Sequence, residues 1–258
     1  MSSAFKCFLE LIKREMYLFF KTFFSKFIDI SVILCTSIVV FAFFMSKEGL
    51  KESYGPFILV GSIASFGLFE TIWRSTVLAQ DVTDKKITNF LMLPISSSYV
   101  FVAIAVSWAI STAILSLCLF PIGKLILWDR FTLSNFSIFK FILIFITGNL
   151  FYGFFALWVA SLVTNLRNTS WVWARLINPL FMFCGYFYTW RSAYELSHII
   201  GYLHFLNPLI FILEGTKAAI LGQKGFLPFW ICFFVLLIFI SFFTFDSIRR
   251  FKKRLDCI

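Results

Sequence analysis

Charged residues are scarce in this sequence. Only 14% of its 258 residues are Asp, Glu, Lys or Arg, whereas 60% are hydrophobic. Soluble domains usually carry about 25% charged residues, so this composition excludes an ordinary soluble domain. The long apolar runs predict instead an all-α integral membrane protein embedded in the lipid bilayer. The net charge of +10 does not indicate a nucleic-acid partner, because the basic residues cluster at the ends of apolar runs.

The sequence also lacks the common motifs of catalytic sites. No phosphate-binding G-x-x-x-x-G-K-[ST] motif occurs, and neither G-x-S-x-G nor H-E-x-x-H is present. The only histidines, His198 and His204, are six residues apart, which is a poor helical spacing for a shared metal. The six cysteines show no C-x-x-C spacing and predict neither a zinc site nor a disulfide framework. We therefore expect no catalytic residue, no cofactor and no metal on this chain.

Six apolar runs are long enough to cross a membrane, since a spanning helix needs roughly 20 mostly apolar residues. The predicted spans cover about 28–46, 56–77, 98–120, 138–164, 171–190 and 226–247. With this arrangement, fifteen of the 23 basic residues fall on the side of the two termini and eight on the other side. The positive-inside rule then predicts that both termini are cytoplasmic. We expect a multi-pass protein of a bacterial inner membrane.

The segment 4–27 precedes the first span and follows a different pattern. Its apolar residues, from Phe5 to Phe23, recur at three- and four-residue steps and predict one apolar helical face. Basic residues such as Lys13 and Arg14 lie largely elsewhere. This pattern predicts an amphipathic helix in the membrane interface, near anionic headgroups. An anchored terminus without further function is the alternative. The segment has no uninterrupted apolar core, so we expect no cleavable signal peptide.

Two opposite charges fall inside the second predicted span. Glu70 and Arg74 are four residues apart, so they can pair across one helical turn. Charged residues within a span usually face the protein interior and have a function or a partner. We interpret this intramembrane pair either as a local structural contact or as part of a translocation path or a helix–helix contact.

The loop after the second span reads QDVTDKKITNFLMLPISS. Polar residues at 81–86 lead into a mostly apolar stretch at 87–93, and Pro94 and Ser96 follow as turn and capping residues. The pattern predicts a short amphipathic helix at about 81–91, a shape suited to docking in a groove of a partner protein. A simple connector is the alternative.

The stretch NPLIFILEGTKAAILGQ is too broken for another span and too apolar for a hydrated loop. Asn207 and Pro208 form a good helix start, because proline is tolerated in the first turn. Glu214 and Lys217 are three residues apart and can pair on one helical face. We predict that about 191–223 forms short helices that dip into the outer leaflet, with polar faces turned towards protein or water. Such a segment is a candidate re-entrant gate.

The order of these features resembles an ABC-2-type transporter permease over nearly the whole chain. An amphipathic N-terminal helix comes first, followed by six spans. TDKKITNFLMLPISSSYVFVA follows the second span, and NPLIFILEGTKAAILG precedes the last. The resemblance implies a dimer of permease subunits, with a separate ATPase on the cytoplasmic side that binds ATP and Mg. It also implies that the loop after the second span is a coupling helix held by this ATPase.

The resemblance assigns roles to particular residues of this chain. The ATPase-coupling residues would come from the coupling helix and from the N-terminal helix: Asp81, Asp84, Lys85, Lys86, Asn89, Phe90, Lys13, Arg14 and Glu15. The gating residues would be Asn207, Pro208, Glu214 and Lys217. The implied function is export of a bulky amphipathic substrate, such as a polysaccharide, lipid-linked glycan, lipid or drug.

Two other classes of protein compete with this interpretation. An ion-driven secondary transporter predicts carboxylates or broken helices at mid-membrane, together with an inverted internal repeat. The sequence shows no repeat, and its acidic residues lie near the ends of spans. A membrane-embedded enzyme requires a convergent polar site, which two distant histidines do not supply. Neither class accounts for a basic amphipathic helix together with a docking loop.

Overall fold

The computed structural model describes residues 3–47, 54–84, 86, 95–132, 134–163 and 169–255. These residues are nearly all helical and include no strand, and five helices are long and apolar enough to cross a membrane. The all-α membrane fold is thereby confirmed. In chain order the helices are α1 (Ser3–Ile38), α2 (Tyr54–Thr83), α3 (Ser97–Leu127), α4 (Ile138–Leu162), α5 (Asn178–Met182), α6 (Trp190–Leu196), α7 (His198–Leu203), α8 (Pro208–Ile220) and α9 (Phe229–Leu255).

The first helix has no break between the predicted interface helix and the first span. α1 continues directly into a π-helical segment, Val39–Phe44. The apolar helix Phe5–Phe44 has 40 residues and is about 60 Å long at 1.5 Å per residue. This is twice the roughly 30 Å hydrocarbon core of a bilayer. Residues 4–27 and the first span therefore form one continuous helix and not two separate ones, because no glycine or proline interrupts the chain there.

Hydrogen bonds between helices define two ends of the bundle. At one end, Arg254 of α9 donates to the Val163 carbonyl oxygen and to the Thr83 hydroxyl, both at 3.0 Å. We call this the basic end. At the other end, Arg130 donates to the Ala42 carbonyl oxygen at 2.8 Å. We call this the far end. Because α1 and α9 run in opposite directions, the N-terminus of α1 and the C-terminus of α9 both lie at the basic end.

The chain between α4 and α9 crosses the bundle once. It leaves α4 at Val163, at the basic end. Near the end of α8, the Ala219 carbonyl oxygen accepts a hydrogen bond from the Ser137 amide at 2.9 Å, at the start of α4 and hence at the far end. With the five long helices, this discontinuous segment brings the number of crossings in the described part of the chain to six.

The predicted fifth span, 171–190, is wrong as a continuous helix. The helix there consists of Thr169–Trp171, a π-helical segment Val172–Ile177, and α5. It ends at Met182, and Gly185 follows with a φ of 81°. Glycine adopts this left-handed backbone without the steric penalty of a Cβ, so the chain turns here instead of continuing as a helix.

Two short helices bent against each other precede the last span. α7 continues into a 3₁₀ turn, His204–Leu206, and α8 leaves at an angle of 100°. The bend lies at Asn207, whose side-chain oxygen accepts the Leu209 amide hydrogen at 3.1 Å and caps α8. All of α8 is buried, whereas α7 exposes apolar side chains such as Tyr202. The arrangement matches the short helices predicted before the last span.

Two helices extend past their predicted ends. α3 continues through Pro121 to Leu127 instead of stopping at about 120. Proline removes one backbone hydrogen bond, and the tightly packed neighbours of a membrane helix compensate for such a loss. α2 continues to Thr83, so Asp81 belongs to its last turn and not to a separate coupling helix beginning there.

Small residues allow α3 and α4 to pack with their backbones close together. A Cβ at Gly153 of α4 would overlap the Ala105 carbonyl oxygen of α3, and Ala109 lies nearby. Close approach at small residues is a main source of helix association in membranes, where lipid is as apolar as the helix surface. Gly153 is therefore a contact point that holds these two spans together.

Replacing Gly153 with alanine is expected to destabilise the protein, although alanine normally favours a helix by about 1 kcal/mol over glycine. The new methyl group would meet the Ala105 carbonyl oxygen, a backbone atom that cannot rotate away. We expect a net loss of about 1–3 kcal/mol, measured as a lower unfolding temperature in detergent. Gly61→Ala is the matched control, because its methyl group would approach the Tyr186 ring at 3.3 Å and no backbone atom closer than 3.5 Å. Equal unfolding temperatures for both variants would contradict this packing.

Candidate functional site

A cleft of about 410 Å³ opens at the basic end between α1, α2 and α3. Arg14 and Glu15 line this basic-end cleft from α1, and Asp81 lines it from the last turn of α2. The buried Trp108 of α3 also contributes to the lining. Two sets of predicted ATPase contacts, almost 70 residues apart in sequence, therefore face one cleft.

An ion cluster joins the helices at the inner part of this cleft. The Oε1 atom of Glu70 accepts hydrogen bonds from Arg74 Nε, at 2.8 Å, and from the ammonium of Lys26 on α1. Arg74 also donates to the Ser111 hydroxyl of α3 at 3.3 Å. The predicted partners Glu70 and Arg74 are thus in contact, and Lys26 is a third member. The ion cluster (Lys26, Glu70 and Arg74) links α1, α2 and α3.

The other predicted coupling residues lie around the end of α2 or on the exposed side of α1. Lys86 is exposed, and its Nζ lies 3.2 Å from Asp84 Oδ2 and 3.8 Å from Asp81 Oδ1. Lys13 is paired with Glu10 at 2.6 Å on the exposed side of α1. Three further predicted residues lie outside the described part of the chain: Lys85, Asn89 and Phe90.

A second polar site lies towards the far end, around a fully buried carboxylate on α8. Glu214 Oε1 accepts the Trp190 amide hydrogen at 2.9 Å, and Oε2 accepts the Leu227 amide hydrogen at 3.0 Å. A buried carboxylate strongly destabilises a fold unless hydrogen-bond donors surround it. Here the two donors are the amides at the start of α6 and just before α9. Glu214 therefore links three segments by hydrogen bonds: α8, the start of α6 and the turn before α9.

Lys217 fastens the other side of α8. It is fully buried, and its Nζ donates to the Gly185 carbonyl oxygen at 2.6 Å. The same Nζ lies 3.4 Å from the centre of the Phe57 ring on α2, a cation–π contact. We call Glu214, Lys217 and their partners the far-end latch. Glu214 and Lys217 lie close enough on α8 to attract each other electrostatically, as predicted, but each side chain is hydrogen-bonded to a different segment of the chain.

His204 has a structural role. His204 is buried, with Nε2 2.7 Å from the Tyr188 hydroxyl and Nδ1 2.7 Å from the Ile200 carbonyl oxygen. Among the residues described above, no group of three or more His, Cys, Asp or Glu side chains is arranged to hold a metal ion. The polar groups of both sites are bonded to protein partners in ways that fasten helices together.

Reasoning from the sequence missed the partners that come from distant parts of the chain. Lys26 is 44 residues from Glu70, and Gly185 is 32 residues from Lys217. A lysine within the run of phenylalanines on α1 was the one available signal for Lys26. Backbone partners such as the Trp190 amide leave no signal in a single sequence, because every residue except proline has an amide hydrogen.

Comparison with known proteins agrees with the architecture of these helices. A family model described as ABC-2 type transporter matches residues 6–221. This match includes both sites except for the Leu227 amide and covers most of the 258 residues. No curated protein matches the chain. With its six crossings, its buried polar sites and this family match, the chain belongs to the ABC-2 type transporter family, the membrane components of ATP-binding cassette transporters.

Proposed function

We propose that this chain is the permease subunit of an ABC exporter that uses ATP hydrolysed by a separate ATPase subunit. The transported substrate is a bulky amphipathic molecule, and the working unit contains two permease subunits. ATP and Mg bind to the ATPase. The basic end faces the cytoplasm of a bacterial inner membrane, because the charge pattern places most lysines and arginines on the side of the termini.

One observation carries this proposal beyond the family. Arg14, Glu15 and Asp81 were assigned to two different ATPase contacts, and all three line the basic-end cleft. A partner that docks at this cleft can hold the N-terminal helix and the end of α2 at the same time. Lys86 is exposed beside it, 63% accessible at its side chain, and is available to such a partner.

α2 extends from the basic-end cleft to the far-end latch and connects the two. Its last turn contains Asp81, and near its first turn Phe57 packs under the Lys217 ammonium. At the start of α2, the Tyr54 hydroxyl donates to the Phe187 carbonyl oxygen at 2.7 Å. A helix moves as a rigid rod over short distances. ATP-driven displacement of its basic end therefore moves the latch contacts at its other end, as in a rigid-body switch.

Co-purification tests the proposal. The tagged chain would be isolated from its native membrane in mild detergent, its partners identified and ATPase activity assayed. We expect a stoichiometric ATPase with a phosphate-binding loop, because the chain has no such motif of its own. An intact, monodisperse chain without any ATPase would contradict the proposal. It would favour an ion-driven carrier or a membrane enzyme instead.

A further inference from the structure

A second cavity lies next to the basic-end cleft on its far-end side, and most of its lining comes from α1 and α2. This α1–α2 cavity has a volume of about 300 Å³. On α1 the cleft lining ends at Lys26 and the cavity lining begins at Ile30, one turn further along. On α2 the cavity lining ends at Phe69 and the cleft lining resumes at Trp73, again one turn away. The two voids are therefore consecutive parts of one α1–α2 groove.

The ion cluster lies where the two parts meet. It holds two cations, Lys26 and Arg74, and one carboxylate, Glu70, so it carries one net positive charge. The other charges of the cleft balance each other more closely. Arg14 lies 3.9 Å from Glu15, and Asp81 lies 3.8 Å from Lys86. The junction of the groove thus carries an excess positive charge.

Arg74 retains hydrogen-bonding capacity at this junction. Its Nε donates to Glu70 and its Nη1 to Ser111. Within the described part of the chain, its Nη2 has no hydrogen-bond acceptor. A guanidinium group is well suited to phosphate, because its planar donors match two phosphate oxygens. The exposed Trp73 ring lies next to this junction, where an amphipathic ring suits a membrane interface.

The α1–α2 cavity is apolar, whereas the basic-end cleft is charged. Its lining contains no charged side chain and is dominated by isoleucine, leucine and phenylalanine. Of its polar groups, the Ser62 and Tyr186 hydroxyls are bonded to each other at 2.8 Å. Ile33 and Phe69 are 68% and 39% exposed, so the cavity opens sideways at the surface of the helix bundle. From Lys26 to Ser37 the groove follows α1 for about 16 Å, a length suited to an acyl chain.

We propose that the α1–α2 groove binds one anionic, phosphate-headed lipid from the leaflet at the basic end. The phosphate lies against Lys26 and Arg74, and one acyl chain fills the α1–α2 cavity. Basic pockets between membrane helices bind anionic headgroups in this way. The site goes beyond the proposed transport function and requires neither the ATPase nor the transported substrate.

Native mass spectrometry of the purified full chain, stripped of lipid and mixed with defined lipids, tests this site. Phosphatidylglycerol is the anionic probe, and phosphatidylcholine is the neutral comparison. We expect one phosphatidylglycerol to be retained in preference to phosphatidylcholine. The triple variant Lys26→Gln, Glu70→Gln and Arg74→Gln removes the charges but keeps polar side chains. It should weaken phosphatidylglycerol binding by about tenfold or more, because charge-assisted hydrogen bonds are lost.

A second variant tests the acyl-chain position without changing any charge. Ser37→Phe places a ring in the α1–α2 cavity. It should reduce binding of long-chain phosphatidylglycerol but leave binding of the dihexanoyl form unchanged. This variant keeps the result interpretable if the triple variant fails to fold. The matched control is Lys252→Gln with Lys253→Gln, which removes two exposed charges of the α9 tail that do not line the groove.

Four results would overturn the lipid site. Equal retention of the two lipids would exclude charge selection, and an equal loss of binding in the α9 control would show non-specific attraction. Unchanged long-chain binding in Ser37→Phe would place the acyl chain elsewhere. A change in assembly mass in Ser37→Phe, without loss of lipid, would show that the groove is an interface between copies of the chain. None of these results bears on ATPase co-purification, so the proposed function is tested separately.

Discussion

Replacing Glu214 with alanine is expected to break the hydrogen bonds that hold the far-end latch together. The buried amides of Trp190 and Leu227 would both lose their acceptor. An unsatisfied buried donor costs about 1–3 kcal/mol, so the two together cost about 2–6 kcal/mol, a large share of a typical total stability of about 5–15 kcal/mol. We expect a much lower unfolding temperature in detergent and loss of export. The ATPase should still co-purify with this variant, because the basic-end cleft lies at the opposite end of the helix bundle.

Glu195→Ala is the matched control for this substitution. Glu195 pairs with Arg191 at 2.9 Å, but both side chains are about two-thirds exposed. Exposed ion pairs usually contribute only about 0–1 kcal/mol, so the control should unfold close to the native temperature. If Glu214→Ala unfolds like the control and exports normally, the far-end latch is neither a structural fastening nor a gate.

Reversing the charges of Lys85 and Lys86 to glutamate is expected to uncouple the ATPase. Lys86 is exposed, and its contacts with Asp81 and Asp84 are surface ion pairs, so the fold should lose at most about 1 kcal/mol. A docked ATPase, in contrast, would face two glutamates in place of the two lysines. Such like-charge or unpaired contacts cost several kcal/mol of binding free energy at an interface. We expect ATPase co-purification and export to fall at least about tenfold while insertion and unfolding temperature stay unchanged.

Lys224→Glu provides the control for charge reversal. Lys224 is exposed in the turn between α8 and α9, at the far end. It should leave ATPase binding intact. Equal effects of the two reversals would indicate a general response to net charge. Full export with Lys85→Glu and Lys86→Glu would show that the coupling contact lies elsewhere on the chain.

The helices were predictable where hydropathy alone decides the structure. The fourth span was predicted at 138–164 and observed as Ile138–Leu162, because 25 consecutive mostly apolar residues have no other stable state in lipid. The prediction failed where helix continuity was at issue. A change from amphipathic to apolar pattern near residue 27 did not break α1, since a helix stops at capping or breaking residues and not at a change of polarity.

The polar sites were only partly predictable for a different reason. Glu70 and Arg74 are one turn apart, and helical geometry brings such residues together whatever the tertiary fold. Glu214 and Lys217 have a similar spacing, yet each is bonded to another segment. Once α8 is buried, nearby unsatisfied backbone groups compete with the charged neighbour on the same helix. Which backbone groups lie nearby depends on tertiary packing, which a single sequence does not reveal.

Site-specific photo-cross-linking tests the central claim most directly. A photoreactive amino acid would be placed at position 14, in the basic-end cleft, at position 86, beside it, and at position 224, at the far end. In native membranes we predict cross-links from positions 14 and 86 to a single ATPase with a phosphate-binding loop, and none from position 224. Cross-links to such an ATPase from position 224 alone, or its absence at positions 14 and 86, would contradict a permease driven from the basic end.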